Sequence, residues 1–182
     1  MRVIAGKARS MPLVAPKGDN TRPTTDRIKE TLFNMLQADV PGAVFCDFFS
    51  GSGAIGIEAL SRGAKHAYFV ENNKEALECI RKNVTFTKVS DDATIISRDV
   101  RDALYEIHDT ADIIFMDPPY SEGIEYDIMQ MLKNSRIINE YTIIIIEAEI
   151  NNDLSDIENL GYVMYKEKCY KTNKHVFFRL EN

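Results

Sequence analysis

Val44-Phe-Cys-Asp-Phe-Phe-Ser-Gly-Ser-Gly-Ala-Ile-Gly-Ile-Glu58 changes its hydrophobic period halfway along. A β-branched and aromatic run ends at Ser50, glycines stand at 51, 53 and 56, and apolar residues then recur at Ile55, Ala59 and Leu60 with helical spacing. The pattern predicts a strand, a tight glycine turn and a helix. Glycine lets the turn bring its backbone close to a ligand, and the unpaired amides of a new helix N-terminus favour polar or anionic groups. Ser50, Gly51 and Gly53 are therefore candidate ligand contacts.

The spacing satisfies G-x-G-x-x-G, which by itself marks either a dinucleotide site or an ordinary tight turn of an α/β domain. The next apolar run, Ala67-Tyr68-Phe69-Val70, closes on Glu71, about twenty residues downstream, where a carboxylate would meet the ribose hydroxyls of a nucleotide-like ligand. Glu71 fits NAD and S-adenosylmethionine equally. Asp47, four residues before Gly51, sets a negative charge where a dinucleotide would place its pyrophosphate; it suits a sulfonium and an ammonium better.

Outward from this stretch, strands and helices alternate. Helix A is predicted to about Ser61 with Gly63 closing it, then a strand over His66 to Glu71, and a helix from Asn72 or Asn73 with Ala76, Leu77, Ile80 and Val84 inward. A third strand covers Ala93 to Ser97, a short helix Val100 to Ile107, a fourth strand Ala111 to Met116, a helix Gly123 to Lys133 through Ile124, Ile128, Met131 and Leu132, and a fifth strand Tyr141 to Ile146. A short helix over Asn152 to Leu160 and an antiparallel pair, Tyr162 to Lys168 with His175 to Leu180, end the chain. This predicts a Rossmann-like α/β fold, a mainly parallel seven-stranded sheet with helices on both faces and an antiparallel C-terminal strand. In such sheets ligands bind beyond the carboxyl ends of the strands, where Ser50, Glu71, Asp99 and Asp117 all fall. Asp99 suits the amino group of an adenine, or the capping of the helix that follows; Asn72 and Val100 join Glu71 and Asp99 in the candidate cofactor set.

Before this core, Arg2 to Val14 is expected to form a small hairpin or irregular ribbon, and Thr24 or Thr25 to cap a helix whose inward stripe is Ile28, Leu32, Met35 and Leu36. Arg22, Arg27 and Lys29 mostly fall off that stripe and are expected to reach outward. The domain boundaries follow: a basic N-terminal extension over 1–23 and one globular domain over 24–182. Of the 182 residues 45% are hydrophobic and 27% charged, enough for a proper core. The net charge is −6, yet residues 1–29 carry seven basic side chains against two acidic, +5, which leaves −11 for the remainder. A basic arm on an acidic body favours local phosphate contact over indiscriminate nucleic-acid binding.

Cys46, Cys79 and Cys169 form no C-x-x-C pair, so a disulfide framework or zinc site is not expected; they are read as buried small hydrophobes in a reducing compartment. Histidines 66, 108 and 175 lie in no ligand-like cluster and no metal chemistry is required. No apolar run is long enough to span a bilayer, so the expectation is a cytoplasmic protein without a membrane partner.

The fourth strand ends in Asp117-Pro118-Pro119-Tyr120. Two prolines fix their backbone angles and remove both amide donors, leaving a stiff rim of carbonyl acceptors. Such a rim suits an amino group. The exocyclic amine of a nucleobase is a poor nucleophile because its lone pair is delocalised. Hydrogen bonds from that NH₂ to the Asp117 carboxylate and Pro118 carbonyl would pull it towards tetrahedral geometry and free the lone pair for attack on a methyl group. Tyr120 offers a face on which an extruded base can stack. A plain Asp-Pro-Pro turn with Tyr120 as packing is the alternative.

Asp47-Phe48-Phe49-Ser50-Gly51-Ser52-Gly53 together with Asp117-Pro118-Pro119-Tyr120 resembles the class I S-adenosylmethionine-dependent methyltransferases acting on an amino nitrogen. Arg2-Val3-Ile4-Ala5-Gly6-Lys7, Thr21-Arg22-Pro23-Thr24-Thr25-Asp26-Arg27 and Leu32-Phe33-Asn34 narrow the resemblance to the RsmD family of bacterial small-subunit ribosomal RNA guanine-N2 methyltransferases. It covers essentially the whole chain; Ser50, where relatives often have Ala, is a conservative departure, and Lys88 to Thr94 and the C-terminal third carry least of it. The resemblance implies transfer of one methyl from S-adenosylmethionine to the amino group of a specific guanine in 16S rRNA of the small ribosomal subunit, by a monomer. It fits the charge layout, with Arg22 and Arg27 as leading RNA contacts and Lys7 and Arg9 behind them; Arg22 could equally pair with Asp19 or Asp26. A DNA adenine-N6 methyltransferase and a non-catalytic dinucleotide-binding module are the competing readings.

Overall fold

The computed structural model describes residues 1–16, 25–119 and 123–181; Arg22 and Tyr120 lie outside them. The continuous apolar runs pair side by side. β1 (Val44–Phe48) lies between β2 (His66–Val70) and β4 (Ile113–Met116), with β3 (Ala93–Ile96) beyond β2 and β5 (Ile143–Glu149) beyond β4, all parallel. β7 (Asn173–Leu180) runs antiparallel to β5, and β6 (Tyr162–Cys169) is the edge strand beside it. The order across the seven strands is β3-β2-β1-β4-β5-β7-β6. Residues of β1 and β4 and the Ile143 to Ile146 run of β5 are buried from both faces, as continuous Val/Ile/Phe runs require.

Helices α1 (Asp26–Met35), α2 (Ala54–Ser61) and α3 (Lys74–Phe86) build the core on one face around Phe45, Phe69 and Phe115. Helices α4 (Val100–Ala103) and α5 (Ile124–Lys133) build the other around Phe48, Met116 and Ile146. α2 approaches β2 so closely that a Cβ at Gly56 would stand 2.4 Å from the Phe69 ring. Only a bare backbone fits there.

Several boundaries differ from expectation for local reasons. The helix expected over Val100 to Ile107 is one turn long, although Ile107 is fully buried beyond it. Tyr141 is 76% exposed and precedes β5, which instead runs on to Glu149 because β7 pairs with it to that point. The segment after β5 is a 3-10 turn, Ser155–Leu160. α5 buries Met129 alongside Ile128 and Leu132, while Ile124 and Met131 are only partly covered. Of the cysteines only Cys46 is buried; Cys79 is half-buried and Cys169, on the edge strand, is exposed, which corrects the expectation that all three are core residues.

The inward face of α1 is Lys29, Leu32, Phe33 and Leu36, with Ile28 and Met35 half-covered. Lys29 therefore does not reach outward. Its ammonium lies 3.2 Å from Glu58 of α2 and donates to the Arg2 carbonyl at 2.7 Å. The N-terminal ribbon, closed by a bridge between Arg2 and Pro12, docks on the same helix: the amides of Ile4 and Ala5 donate to the Glu58 carboxylate, and that of Ala8 to the Ser61 hydroxyl. Gly6 takes a φ of +81°, and a Cβ there would lie 1.8 Å from the Ser61 carbonyl oxygen.

Candidate active site

The five parallel strands end in step. Ile96, Val70, Phe48, Met116 and Ile146 stand in one register row, so the residues that follow, Ser97, Glu71, Phe49, Asp117 and Glu147, line the carboxyl edge. The chain turns sharply at the middle of this edge. Phe49 has a φ of +58°, a left-handed conformation that a β-unbranched aromatic residue adopts only when its surroundings impose it. Ser50 imposes part of it: its amide and hydroxyl donate to the Val70 carbonyl at 3.1 and 3.2 Å, and the hydroxyl also to the Asp47 carbonyl at 2.6 Å.

Glu71 ties the glycine turn to β2. It accepts from the Gly51 amide on one oxygen and from the Asn72 and Asn73 amides on the other, all at 2.9 Å. A carboxylate has about four lone-pair sites, so Glu71 keeps one for a ligand hydroxyl on the Gly51 side. Gly51 itself faces open space, with nothing within 4 Å of where a Cβ would stand.

Asp47 is 1% exposed and takes the Gly56 amide at 2.9 Å, so its carboxylate anchors the first turn of α2. Burial raises its pKa well above the ordinary carboxylate range; the Gly56 amide opposes this, and the neighbouring charges of Glu71 and Asp117 add to it. The crevice thus gathers three carboxylates. A ligand that brings a positive charge relieves that repulsion.

Asp99 caps α4 by accepting from the Arg101 amide at 3.0 Å and faces the Arg101 guanidinium at 3.7 Å, with Val100 buried behind it. Asp117 is half-buried, Pro118 buried and Pro119 exposed, so the rim leaves the protein at the second proline. Among the described residues no cluster of His, Cys, Asp or Glu could hold a metal ion, and no helix is long and apolar enough to cross a membrane.

Of the expected RNA contacts, Lys7 is paired with Asp92 at 3.3 Å, while Arg9 and Arg27 are exposed and make no ion pair among the described residues. Asp26 pairs with Arg2 at 3.3 Å. Sequence reasoning missed two buried groups that serve this region. Asn83 of α3 donates to the Ser52 carbonyl and to that of Val14, and accepts from the Val14 amide, joining the glycine turn to the ribbon. Glu147, near the end of β5, bonds His175 and Asn173. A lone polar residue at helical core spacing signals the first; no local signal marks the second.

Strand order, the glycine turn after β1, the carboxylate after β2 and the Asp-Pro-Pro rim after β4 are those of a class I methyltransferase with a Rossmann-like fold. The chain belongs to the RsmD family: the family model described as "Conserved hypothetical protein 95" matches residues 1–179. It is 34% identical to "Putative rRNA methyltransferase YlbH" of Bacillus subtilis (strain 168), over 93% of this chain and 94% of the relative. It is 32% identical to "Ribosomal RNA small subunit methyltransferase D" of Escherichia coli (strain K12), over 92% of this chain and 84% of that one. Among solved structures, "Putative methyltransferase yhhF from Escherichia coli" superposes with a TM-score of 0.87 at 30% identity, covering 100% of this chain and 98% of the other.

The residues present suit S-adenosylmethionine. Its ammonium, ribose hydroxyls and adenine amino group all require acceptors, and the crevice offers the remaining lone pair of Glu71, the partly exposed Asp99 and the buried Asp47 carboxyl, whose ionised form a neighbouring cation would favour.

Proposed function

We propose that this protein transfers a methyl group from S-adenosylmethionine to the exocyclic amine N2 of a specific guanine in 16S rRNA, at position 966 by family resemblance. Its substrate is the assembled or assembling small ribosomal subunit, on which it acts as a cytoplasmic monomer. The observation that carries the reading is the Asp117-Pro118 rim standing in the same register row as Glu71, beside the open glycine turn. The names of the relatives over nearly the full chain support RNA as the substrate class.

The sulfonium supplies an electrophilic methyl carbon. Gly51 allows the amino-acid end of the cofactor to approach the backbone, Glu71 accepts from its ribose and Asp99 from its adenine. The Asp117 carboxylate and Pro118 carbonyl accept the two hydrogens of the guanine amine, so its lone pair turns towards the methyl. Nitrogen gains the bond to carbon as the sulfur–carbon bond breaks onto sulfur, and Asp117 takes the proton the nitrogen sheds. Tyr120 stacks on the extruded base. Residues 1–23 form the basic arm and 24–182 the catalytic domain; Arg22, Arg27, Lys7 and Arg9 grip RNA phosphates, which position the particle without reading sequence.

Tritiated methyl transfer to small subunits, naked ribosomal RNA and duplex DNA tests this. Label in the RNA of subunits, mapped to a guanine N2, is the expected result. Label in DNA alone would point to the adenine-N6 activity instead.

A further inference from the structure

Beyond Asp117, the carboxyl edge carries a buried polar network that the proposed chemistry has not used. Asp117 and Glu147 each follow the last pair that joins β4 to β5, Met116 with Ile146, and Glu147 faces His175 through the register of β5 and β7. The His175 ring meets Phe115 edge-on at 5.8 Å, which puts it on the face of the sheet shared by Phe115 and, two residues on, Asp117. Glu147, Asn173 and His175 are 7%, 2% and 0% exposed.

The hydrogen bonds orient this network in one direction. Asn173 Nδ2 donates to Glu147 Oε1 at 2.5 Å, and His175 Nε2 to Glu147 Oε2 at 3.1 Å. His175 Nδ1 lies 3.0 Å from the Tyr170 hydroxyl, which holds the ring from its other side. Because a carboxylate only accepts, the Asn173 amide cannot flip: its nitrogen is held by Glu147 and its oxygen is presented as an acceptor. That oxygen, Asn173 Oδ1, has no hydrogen-bond partner, the one such buried side-chain atom among the described residues. Buried acceptors are rarely left so unless a ligand or water completes them.

We infer that Asn173 reads the Watson–Crick edge of the target base by accepting from guanine N1–H. The inference rests on the guanine-N2 reading above. Guanine presents two adjacent donors, the N2 amine and N1–H; adenine presents an amine beside an unprotonated N1. A site that places an acceptor for the amine at Asp117 and a second obligatory acceptor two strands over and two residues further along, since Asn173 pairs with Glu149, has them roughly 12 Å apart between backbones and meets the donor–donor edge of one purine with both side chains extended towards it. It sets a lone pair against the N1 of adenine. A site built to bond a substrate N–H discriminates strongly against an analogue lacking it, since its buried acceptor is then left unpaired. Glu147, His175 and Tyr170 are positioning residues that hold the amide in this sense.

The test uses small-subunit particles reconstituted with either guanine or 2-aminopurine at the target nucleotide, the latter keeping the amine but having no hydrogen on N1. The wild type is expected to favour guanine by about ten- to a hundred-fold in kcat/KM. Asn173→Ser, which keeps a donor for Glu147 and removes the carbonyl acceptor, is expected to bring that preference close to unity with cofactor binding unchanged. Equal wild-type rates on the two bases would overturn the inference without any variant. So would an unchanged preference in a folded Asn173→Ser protein, which would leave Oδ1 as a water ligand. A wild type that transfers nothing to the guanine particle would instead overturn the underlying guanine reading. Should Asn173→Ser not fold, a crystal structure of the wild type with an RNA oligonucleotide carrying the target decides: guanine N1 within hydrogen-bond distance of Oδ1 supports the inference, and a water there with the base elsewhere removes it.

Discussion

Lys29 of α1 and Glu58 of α2 form an ion pair at 3.2 Å with both side chains withdrawn from water, 1% and 0% exposed. Burial pulls the Lys29 pKa down, and the Glu58 charge and hydrogen bond hold it back. Glu58 is the hub. It also receives the Ile4 amide at 2.8 Å, the Ala5 amide at 3.0 Å and Arg62 Nε at 2.8 Å, so one carboxylate fastens the ribbon, α1 and α2 together behind the crevice.

Removal of the hub should cost far more than removal of the cation. Glu58→Ala leaves a buried ammonium and two amides without their acceptor, a loss of about 3–5 kcal/mol. Lys29→Met leaves Glu58 with three donors and fills the space with a similar apolar stem, so about 1–2 kcal/mol is expected. Urea denaturation of the two variants gives the order; a larger loss for Lys29→Met would show that the cation and not the carboxylate organises the clasp.

This clasp marks where the chain was and was not legible. The strand, turn and helix of Val44 to Glu58 could be read because the hydrophobic period switches across local glycines, and the central strands because they are apolar throughout. Hydropathy counts lysine as polar and so points Lys29 outward. Its burial depends on Glu58, a partner 29 positions away on another helix. The same holds for Asn173, whose orientation is decided by Glu147 across a strand pair, and for the end of β5, which extends only because β7 returns beside it. Local pattern carries the elements; polar burial is a long-range property.

Asp47 has a raised folded pKa, so its ionised form costs stability. The sign follows from linkage: as pH rises from about 3.8 through the folded value, the unfolded state loses its proton first and the native state is progressively disfavoured. Asp47→Asn keeps an oxygen for the Gly56 amide and removes that cost. Its melting temperature should equal or exceed that of the wild type at pH 7 to 8, with the gap closing towards pH 4, while its affinity for the cationic cofactor falls. Calorimetric scans across this range check it, and a wild-type advantage that grows with pH would contradict the assignment.

Asp117→Ala removes the acceptor proposed for the base amine but leaves Glu71, Gly51 and Asp99 untouched. Methyl transfer should fall by at least about a thousand-fold while cofactor affinity changes by no more than a few-fold, because the interaction lost is one made with the attacking amine. Single-turnover transfer and calorimetric titration with S-adenosylmethionine separate the two. Parallel losses of rate and affinity would assign Asp117 to the cofactor instead.

The basic arm is less uniformly available than its composition suggests, since Arg2 and Lys7 already pair with Asp26 and Asp92. Arg9 and Arg27 have no such partner among the described residues and stand exposed. An exposed pair in high dielectric is worth little, yet it must still be exchanged for a phosphate contact. Charge reversal at Arg27 or Arg9 should therefore weaken RNA association more than reversal at Lys7, and each lost contact should flatten the dependence of log K on log salt by about 0.7 to 0.9. Filter binding of small-subunit RNA across a salt series gives both quantities. If Arg27→Glu and Arg9→Glu leave the slope unchanged, neither side chain contacts the RNA phosphates.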